Sequence, residues 1–348
     1  MWITSSPTTA LTPTTVALGN FDGVHRGHQQ VIKPILQESG FSQVITATPP
    51  AVEWQNRLEG LVNPNLKENF EDKARAETGH VYSTVATFNP HPREFFSGKT
   101  WKLLTPRAEK AQQLSRMGVE QLVLLPFDGE LASLSPQQFV EKILVQQLGA
   151  THVSVGQDFH FGYRRTGTSA NLQAIASTYG IEVTIVSLQT CQGERISSTL
   201  IRQSLEQGDI SQANRLLGRP YTVTGVVVKG QQLGRTMGFP TANLQLPSKK
   251  FLPRSGVYCV RVESDSLTSS VAFQPGVMNI GHRPTVNGIS LTVEVHLLDW
   301  SGDLYGQTLT VSLEQFLRPE QKFASLDALK GQIQADCEVA KAFLEARG

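Results

Sequence analysis

Two histidines three residues apart, His25 and His28, follow a glycine-rich turn that begins at Gly19. The turn comes directly after the apolar run Val16–Leu18, and the residues from Gln29 to Gln37 are compatible with a helix. A strand, such a turn and a helix N-terminus together favour an anion, because backbone N–H groups and the positive end of the helix dipole point to one place. Histidines at this spacing can fall on one side of the first helical turn. The pattern predicts phosphate binding, with the imidazoles stabilising charge during transfer.

The histidine pair also admits two plainer interpretations. His25 and His28 could be surface residues of an ordinary turn, with Asp22 as a simple turn former. They could also be metal ligands, although this spacing without a nearby third ligand makes a weak metal site. Two common nucleotide motifs are excluded, because Arg93 stands where a P-loop ending at 98–100 needs its first glycine, and no G-x-G-x-x-G follows a strand. Phosphate binding is favoured, because the turn, the helix start and the histidines coincide.

A second set of candidate residues lies near position 240. The segment from Gly234 to Asn243 combines a flexible glycine loop with the side-chain oxygens of Thr241 and Asn243. These oxygens are suitable ligands for a Mg²⁺ ion that carries ATP phosphates. Without further context, the segment could be an ordinary hairpin loop.

Glu294 is the candidate acid–base residue of this half. The stretch 291–297 alternates apolar and polar side chains, which predicts a strand with one apolar face. Glu294 lies on the polar face with Thr292 and His296, opposite the apolar residues Leu291, Val293, Val295 and Leu297. It could also be a solvated carboxylate on an outer strand face, and strand geometry does not separate the two interpretations.

These residues need scaffolds of two different kinds. In the first half, strand signals alternate with helix signals, which predicts an α/β domain with a doubly wound parallel sheet. Thr105 is expected to cap one of its helices with Pro106 in the first position, and Ser135 begins a capping box for the next helix. From Tyr221 onward, short β-rich runs separated by glycine predict a small antiparallel β-barrel, followed by a closing helix that Ser325 caps.

Length and composition restrict the class of protein. The 348 residues are enough for two domains, each with its own core. A formal net charge of +1 gives no support to general binding of nucleic acid or a membrane surface, so neither partner is expected. Cys191, Cys259 and Cys337 are far apart and form no C-x-x-C pair, which favours a reducing compartment over a disulfide framework or a zinc site. Without a charged leader or a long apolar run, the chain is expected to be cytoplasmic.

The motifs of the first half resemble the FAD synthetase module of bacterial bifunctional riboflavin kinase/FMN adenylyltransferases. Residues 19–28 match its signature G-x-F-D-G-x-H-x-G-H, and residues 87–92 resemble T-F-D-P-H-P with asparagine in place of the aspartate. Residues 156–167 resemble G-x-D-F-x-F-G-x-x-R-x-G. Residues 196–202 resemble I-S-S-T-R-I-R with leucine in place of the first arginine.

This resemblance implies a Rossmann-like nucleotidyltransferase in which His25 and His28 are catalytic. It also implies a set of nucleotide-binding residues: Gly19, Phe21, Asp22, Gly27, Asp158, Phe159, Arg165, Ser197, Ser198, Thr199 and Arg202. Considered without the family, Phe159 could be a packing residue, and the hydroxyl residues at 197–199 could cap the following helix. A capped helix N-terminus is also a phosphate site, so residues 197–199 can cap the helix and bind the nucleotide as well.

The motifs of the second half resemble riboflavin kinases. Residues 234–243 match G-R-x-x-G-F-P-T-A-N, and blocks at 256–258, 279–285, 303–306 and 317–323 resemble further parts of that family. The resemblance implies nucleotide binding by Gly234, Arg235, Gly238, Phe239 and Pro240, magnesium binding by Thr241 and Asn243, and flavin binding by Asn279, Arg318 and Phe323. It also implies that Glu294, in an E-x-H-x-L-D setting, is the base that deprotonates the ribityl hydroxyl.

Both motif sets, in the order that the family shows, imply a bifunctional flavin-cofactor synthase. The C-terminal barrel would phosphorylate riboflavin to FMN with ATP and Mg²⁺, and the N-terminal domain would adenylylate FMN to FAD with release of pyrophosphate. We expect the adenylyltransferase domain over residues 1–190, a connecting helical segment over 191–219 and the kinase domain over 220–348. The substrates implied are riboflavin, FMN and ATP, and the sequence does not identify whether the chain has protein partners.

Three other functions remain open. Asn89, Leu200 and the long polar segment 47–79 would suit a monofunctional riboflavin kinase with a silent N-terminal domain. A related nucleotidyltransferase with another acceptor would share the H-x-G-H motif, although the kinase motifs argue against it. A non-catalytic flavin- or nucleic-acid-binding module would explain a barrel but not two phosphate-handling motifs. The segment 47–79 could itself be a lid, a partner surface or an inert insertion.

Overall fold

The computed structural model describes most of the chain, in two compact units. The described residues are 1–38, 79–230, 234, 237–264, 273–285 and 288–347, except for the side chains at 38, 283–285 and 288–290. The two units are Met1–Ser197 and Ser198–Gly348. Arg235 and the segment 47–79, apart from its last residue, lie outside the described residues.

The first unit contains a six-stranded parallel sheet and two short ribbons. Its strands are β1 (Trp2–Thr4), β2 (Thr14–Leu18), β3 (Tyr82–Asn89), β4 (Gln121–Pro126), β5 (Ala150–Gly156), β6 (His160–Phe161), β7 (Gly167–Thr168), β8 (Glu182–Val186), β9 (Thr190–Cys191) and β10 (Glu194–Arg195). The sheet has the order β1-β4-β3-β2-β5-β8, while β6 pairs with β7 and β9 with β10. All pairings within the sheet are parallel, which confirms the predicted α/β fold.

Helices cover both faces of this sheet. They are α1 (Arg26–Glu38), α2 (Pro92–Ser97), α3 (Arg107–Arg116), α4 (Gly129–Ser133), α5 (Pro136–Phe139, continued as a π-helix over Val140–Gln147) and α6 (Ser169–Ser177). Apolar residues of α1 and α3 form one core with Leu122 and Leu124 of β4. Residues of α5 and α6 form a second core with Val123 and Leu125 of the same strand. This alternation along β4 is expected for a strand that is buried on both faces.

The two predicted helix caps of this unit have different outcomes. Ser135 forms the predicted capping box with Gln138 at the start of α5. The prediction for Thr105 is wrong, because Pro106 is the cap residue of α3 and no side chain caps that helix. The hydroxyl of Thr105 instead accepts a hydrogen bond from the backbone N–H of Gly23. A tertiary contact therefore replaces the local capping bond.

The second unit contains the predicted antiparallel barrel, which is closed and has six strands. They are β11 (Tyr221–Val228), β12 (Ala242–Gln245), β13 (Gly256–Glu263), β14 (Gln274–Thr285), β15 (Gly288–Leu297) and β16 (Thr308–Arg318), in the order β11-β12-β15-β14-β13-β16. One face of these strands carries fully buried side chains, among them Tyr221, Tyr258, Met278 and Val295. Asn243, which follows the predicted glycine loop, lies in β12.

Three helices pack on this barrel or lead into it. α7 (Ser198–Gln207) and α8 (Ile210–Leu217) precede β11, and α9 (Leu326–Glu345) follows β16. Asn214 of α8 donates to the carbonyl of Leu313 at 2.8 Å and accepts from the N–H of Tyr221 at 2.7 Å. Ser325 caps α9 as predicted. None of the described helices combines the length and apolar character needed to cross a bilayer.

Candidate active sites

Three of the predicted motifs begin where neighbouring strands of the parallel sheet end. β2 ends at Leu18 just before the glycine-rich turn, β3 ends at Asn89, and β5 ends at Gly156. β2 lies between β3 and β5, so the strand order reverses there. Open α/β sheets bind ligands outside the carboxyl ends of the strands at such a reversal. The fold therefore collects these motifs at its expected ligand-binding edge.

The turn between β2 and α1 has a strained backbone. Phe21 and Val24 have φ angles of 47° and 44°, in a region that costs a non-glycine residue about 1–3 kcal/mol. Both side chains are buried in the core that α1 and α3 share. Thr105 holds the turn twice, because its hydroxyl accepts from the N–H of Gly23 at 2.9 Å and its own N–H donates to Oδ1 of Asp22 at 3.3 Å. The surrounding structure thus fixes a conformation that the turn alone would not keep.

The two histidines lie against each other at the start of α1. The ring centroids of His25 and His28 are 3.5 Å apart with 13° between the planes, and Phe21 meets His28 edge-on at 5.3 Å. Nδ1 of His25 accepts the backbone N–H of His28 at 3.2 Å, so a neutral His25 carries its proton on Nε2. Gly27 permits this arrangement, because a Cβ there would lie 3.2 Å from the His25 ring.

His28 is held in its neutral form. Burial, together with the neighbouring His25 and Lys110, lowers the pKa of His28 well below its usual value. Its Nδ1 atom is buried and has no hydrogen-bond partner among the residues that the structure describes. A buried polar atom without a partner costs free energy that a ligand group can recover. The geometry therefore favours a ligand contact over an ordinary surface turn.

Lys110 belongs to this site, although no sequence pattern revealed it. Its side chain is on α3 and is 6% exposed. Nζ donates to the carbonyl of Asn20 at 2.7 Å and to the hydroxyl of Thr87 at 3.4 Å. Burial lowers the pKa of Lys110 to about 8, and Asp22 acts against that shift. A lysine in a helix is normally exposed, so only the folded structure shows this one to be buried.

The predicted nucleotide-binding residues that follow β5 lie in different environments, two at the surface and one against the core. Asp158 is exposed and forms an ion pair with Arg195 of β10, a residue that no motif indicated. Phe159 stacks on Phe161 at 5.7 Å and packs against the core, which agrees with its interpretation as a packing residue. Arg165 is exposed with a φ angle of 59°. Nucleotide binding by these residues stays a prediction.

The predicted hydroxyl residues and arginine near position 200 fall at the division between the units. Ser197 is the last residue of the first unit, and Ser198 and Thr199 are the first residues of α7 in the second. The guanidinium of Arg202 lies 4.7 Å from the ring centroid of Phe251. Their role in nucleotide binding stays a prediction.

A cluster of aromatic rings follows the ends of β3 and β4. Phe95, Phe96 and Phe127 contact one another edge-to-face, and Phe88 contacts Phe127 in the same way, with centroids 5.2–5.7 Å apart. Phe95 and Phe96 are 38% and 69% exposed. Contiguous exposed apolar surface often marks a binding site. The motif at 87–92 did not indicate this cluster, because three of its four rings lie beyond the motif.

The barrel brings together three candidate residues from adjacent strands. Asn243 on β12 is paired with Glu294 on β15, which is paired with Asn279 on β14. Directly paired residues of antiparallel strands lie about 4.5–5.5 Å apart at Cα and point to the same face. Val293 and Val295 point to the other face and are buried. The amides of Asn243 and Asn279 therefore flank the carboxylate of Glu294 in one row.

The second predicted magnesium ligand, Thr241, directly precedes β12 and is anchored beside Glu294. His296, which shares the Glu294 face of β15, donates from Nδ1 to the carbonyl of Pro240 at 2.8 Å. Its ring also meets Phe239 edge-on at 5.6 Å. The histidine thus fastens the backbone that presents the Thr241 hydroxyl.

The glycine loop before Thr241 is described only in part. The carbonyl of Gly234 accepts from the N–H groups of Met237 at 3.1 Å and Phe239 at 2.8 Å. Gly238 has a φ angle of 90°, which favours glycine. Arg235 lies outside the described residues, so its predicted contact with the nucleotide stays a prediction.

Thr241 and Asn243 fit a Mg²⁺ ion by donor type and by space. Both supply oxygen atoms, which magnesium prefers. A Cβ at Gly230 would collide with the amide of Asn243, and one at Gly234 would lie 3.4 Å from the Thr241 hydroxyl. Within the described ranges, no group of three or more His, Cys, Asp or Glu side chains could hold a metal ion. Magnesium here would complete its shell with phosphate and water oxygens.

The row of barrel residues continues towards α9. Val257 is paired with Asn279 on one side and with Arg318 on the other. Arg318 forms a bidentate ion pair with Asp336 of α9, from Nε to Oδ1 at 3.0 Å and from Nη2 to Oδ2 at 2.7 Å. Its guanidinium lies 5.7 Å from the ring centroid of Phe323. The structure brings these two predicted flavin residues together, and their contact with flavin stays a prediction.

Comparisons with known proteins match both units. The riboflavin kinase family matches residues 217–344, and the FAD synthetase family matches residues 8–50 and 70–200. The bifunctional riboflavin kinase/FMN adenylyltransferase of Pseudomonas fluorescens is 41% identical over 93% of this chain and 91% of its own. Proteins of the same description from Escherichia coli K12 and Bacillus subtilis 168 are 39% and 32% identical, over 94% and 93% of this chain and 92% and 90% of theirs.

A solved structure is similar to this chain over nearly its whole length. It is described as a macrolide-efflux protein from Streptococcus pneumoniae and is 29% identical to this chain. The TM-score is 0.75, and the match covers 97% of this chain and 98% of that protein. The likeness therefore extends over both the parallel sheet and the barrel.

Proposed function

The chain belongs to the family of bifunctional riboflavin kinases/FMN adenylyltransferases, and we propose how its two units divide the chemistry. The second unit phosphorylates riboflavin to FMN. The first unit transfers the adenylyl group of ATP to FMN, which gives FAD and pyrophosphate. ATP is the co-substrate of both reactions, but one site must present its γ-phosphate and the other its α-phosphate.

In the kinase reaction, Glu294 is the general base. It takes the proton of the terminal ribityl hydroxyl while that oxygen attacks the γ-phosphorus, and the bond from the γ-phosphorus to the bridging oxygen breaks to release ADP. A positioned carboxylate in hydrogen-bond reach of the hydroxyl suits this step. The row Asn243, Glu294 and Asn279 supports the assignment, because it puts the base between two amides that can orient phosphate and flavin groups.

Thr241 and Asn243 would hold magnesium beside this base. When bound, the ion neutralises charge on the ATP phosphates. The chain contributes the neutral oxygens and the space that the glycines at 230 and 234 leave around them. His296 holds the backbone of the ligand segment through Pro240.

In the adenylyl transfer, the attacking group is the phosphate of FMN, which is already anionic and needs no protein base. Its oxygen attacks the α-phosphorus of ATP, and the bond from that phosphorus to the bridging oxygen breaks to release pyrophosphate. The site must therefore position the reactants and stabilise charge. His25, His28 and the N-terminus of α1 are assigned this role, supported by the stacked rings and the buried Nδ1 of His28.

The exposed aromatic cluster is the surface that we assign to the isoalloxazine ring of FMN. Phe95, Phe96 and Phe127 follow the carboxyl ends of β3 and β4, at the same edge of the sheet as the histidine turn. Flat aromatic ligands pack well against such rings. The assignment would give the first unit an acceptor site beside its phosphate site.

Thiol chemistry supports a cytoplasmic location. Cys191, Cys259 and Cys337 are free thiols in the structure. Free buried cysteines are common in reducing compartments, and we propose the cytoplasm on that ground.

A product assay tests the proposed division of labour. Purified protein receives riboflavin with Mg-ATP, or FMN with Mg-ATP, and the flavins are separated by chromatography. We expect FMN and FAD from riboflavin, and FAD from FMN. The observation that carries the proposal is that each unit has its own phosphate-handling geometry, so each reaction should proceed when only its own substrates are supplied.

Other outcomes of the assay point to specific alternatives. FMN from riboflavin without FAD from either substrate would mean a riboflavin kinase with a silent N-terminal unit. No product from either substrate would overturn the enzymatic assignment. Flavin binding without ATP turnover would then favour a binding module.

A further inference from the structure

Lys110 is a buried cation in the first unit, and its hydrogen bonds go to the turn that carries the histidines. The carbonyl of Asn20 accepts from two groups, Nζ of Lys110 at 2.7 Å and the hydroxyl of Thr87 at 3.0 Å. Thr87 lies near the end of β3 and Lys110 lies on α3. Two neighbouring elements therefore converge on one backbone atom at the start of the turn.

Burying an ammonium group is unfavourable, so its retention needs a reason. The acceptors at Asn20 and Thr87 are a carbonyl and a hydroxyl, both neutral groups. Asp22 is close enough to favour the charged form of Lys110 electrostatically. A neutral side chain of similar length would fill the same space without the desolvation cost. The charge itself is therefore the feature that calls for explanation.

The place where the charge acts is the strained turn. Phe21 and Val24 have positive φ angles, and α3 and the segment just before it supply groups that hold the turn. Thr105 bonds the middle of the turn through Gly23 and Asp22, and Lys110 bonds its beginning through Asn20. Removing Lys110 would release the beginning of the turn at Asn20. The other end of the turn is His25, the first residue of the histidine pair.

The same charge also faces His28. Lys110 is one of the groups that keep His28 neutral, along with burial and His25. A neutral imidazole can donate a hydrogen bond to a phosphate oxygen. It can also take up positive charge as negative charge develops on that oxygen. The fixed ammonium adds positive potential on the protein side of the same turn.

We propose that Lys110 is a positioning residue for adenylyl transfer, whose buried ammonium holds Asn20 and so fixes the turn that presents His25 and His28 to the phosphates. The inference rests on the proposed adenylyl transfer in the first unit. It does not require Lys110 to touch a substrate.

The proposal has a consequence for pH dependence. The protonated form of Lys110 holds the turn and predominates below its pKa of about 8, so adenylyl transfer should fall as the pH rises through that value. Among the residues that the structure describes, the charged or titratable groups that face Lys110 are Asp22 from the turn, which favours its protonation, and His28 from α1, which is neutral in this range. Riboflavin phosphorylation on the same chain serves as an internal control, because it uses the same Mg-ATP.

The test compares Lys110→Met with Lys142→Met, which removes an exposed lysine from the same unit. Both activities are measured on full-length protein from about pH 6.5 to 9.5. We expect Lys110→Met to lower kcat for FAD formation about 10- to 100-fold at neutral pH, since small displacements of positioned groups have effects of that size. FMN formation should stay within about twofold of wild type, as should both activities of Lys142→Met.

Two further measurements separate positioning by charge from simple loss of folding. Lys110→Arg keeps a charge that does not titrate in this range, so it should recover part of the rate and lose the alkaline fall. In Lys110→Met, the pKa of His28 measured by NMR should rise, because one of the cations that lower it is gone.

The outcomes distinguish this inference from the function on which it rests. FAD formation at the wild-type rate in Lys110→Met would overturn the positioning role while leaving the adenylyltransferase intact. If Lys110→Met unfolds, an alkaline fall in Lys110→Arg identical to that of wild type would overturn it equally. A wild-type protein that makes no FAD would overturn the proposed function instead.

Discussion

The two units prepare phosphate sites by different physical means. In the first unit, the site is built on main chain, as a strained turn and a helix start, and buried neighbours such as Thr105 and Lys110 hold it in place. In the second unit, the site is built on side chains that strand pairing sets side by side. A substitution near the first site should therefore act at a distance through the turn, whereas one in the second should act where it is made.

The sharpest test of this separation is Glu294→Gln, for which we expect the largest effect. Loss of a general base lowers the rate about 10²- to 10⁴-fold, so FMN formation from riboflavin should nearly stop. FAD formation from added FMN should remain normal, because Glu294 is in the second unit. The control is Glu263→Gln, which removes an exposed carboxylate at the end of β13. Equal loss in both variants would argue against a specific base.

The corresponding test of the first unit is His28→Ala. Removal of one group that stabilises transition-state charge lowers the rate about 10²- to 10³-fold, so FAD formation should fall by that factor while FMN formation is unchanged. His160→Ala, at an exposed histidine of the same unit, is the matched control. Loss of both activities in a folded His28→Ala protein would end the two-site description.

A third variant, Asp336→Asn, tests whether the second site also depends on its surroundings. It would leave the guanidinium of Arg318 without its charged partner, and breaking a buried ion pair costs about 3–5 kcal/mol. We expect a lower thermal stability and a higher KM for riboflavin, with FAD formation from FMN unchanged below the unfolding temperature. Lys341→Met breaks the exposed pair of Lys341 with Asp299 on the same helix, and should change little. An unchanged KM would remove Arg318 from the flavin site.

The same contrast explains what the sequence could predict. The turn from Gly19 to His28 is continuous in sequence, so its residue types alone predicted both a phosphate site and the strand and helix around it. The row of Asn243, Glu294 and Asn279 depends on the pairing of three strands, and β12 is far from β14 and β15 in the sequence. The alternation over 291–297 predicted the strand face on which Glu294 lies, and the family resemblance identified the other residues, but neither predicted which residues would be neighbours.

The remaining differences come from tertiary contacts that compete with local rules. Thr105 has the residue type and position of a helix cap, yet its hydroxyl binds the N–H of Gly23. Lys110 follows the ordinary pattern of a helical surface lysine, yet it is buried because its ammonium finds acceptors on two other elements. In both cases the partner is far away in the sequence, so no short window contains the information.

The smallest effect that we expect comes from His296→Ala. This variant tests whether a residue outside the metal ligands also holds the second site in place. The carbonyl of Pro240 can only accept, so Nδ1 of His296 carries the proton in this bond. Without the bond, the segment that presents Thr241 is less restrained, and metal affinity should fall about tenfold, the lower end for loss of a group that orients a ligand.

Binding of Mn²⁺ in place of Mg²⁺, followed by electron paramagnetic resonance, measures this affinity without relying on turnover. Thr292→Val changes the corresponding position on the other side of Glu294 and should leave the affinity unaltered. Equal affinities in the wild type, His296→Ala and Thr292→Val would mean that strand register alone positions the metal ligands. The second site would then differ even more from the turn of the first unit, which Thr105 and Lys110 hold in place.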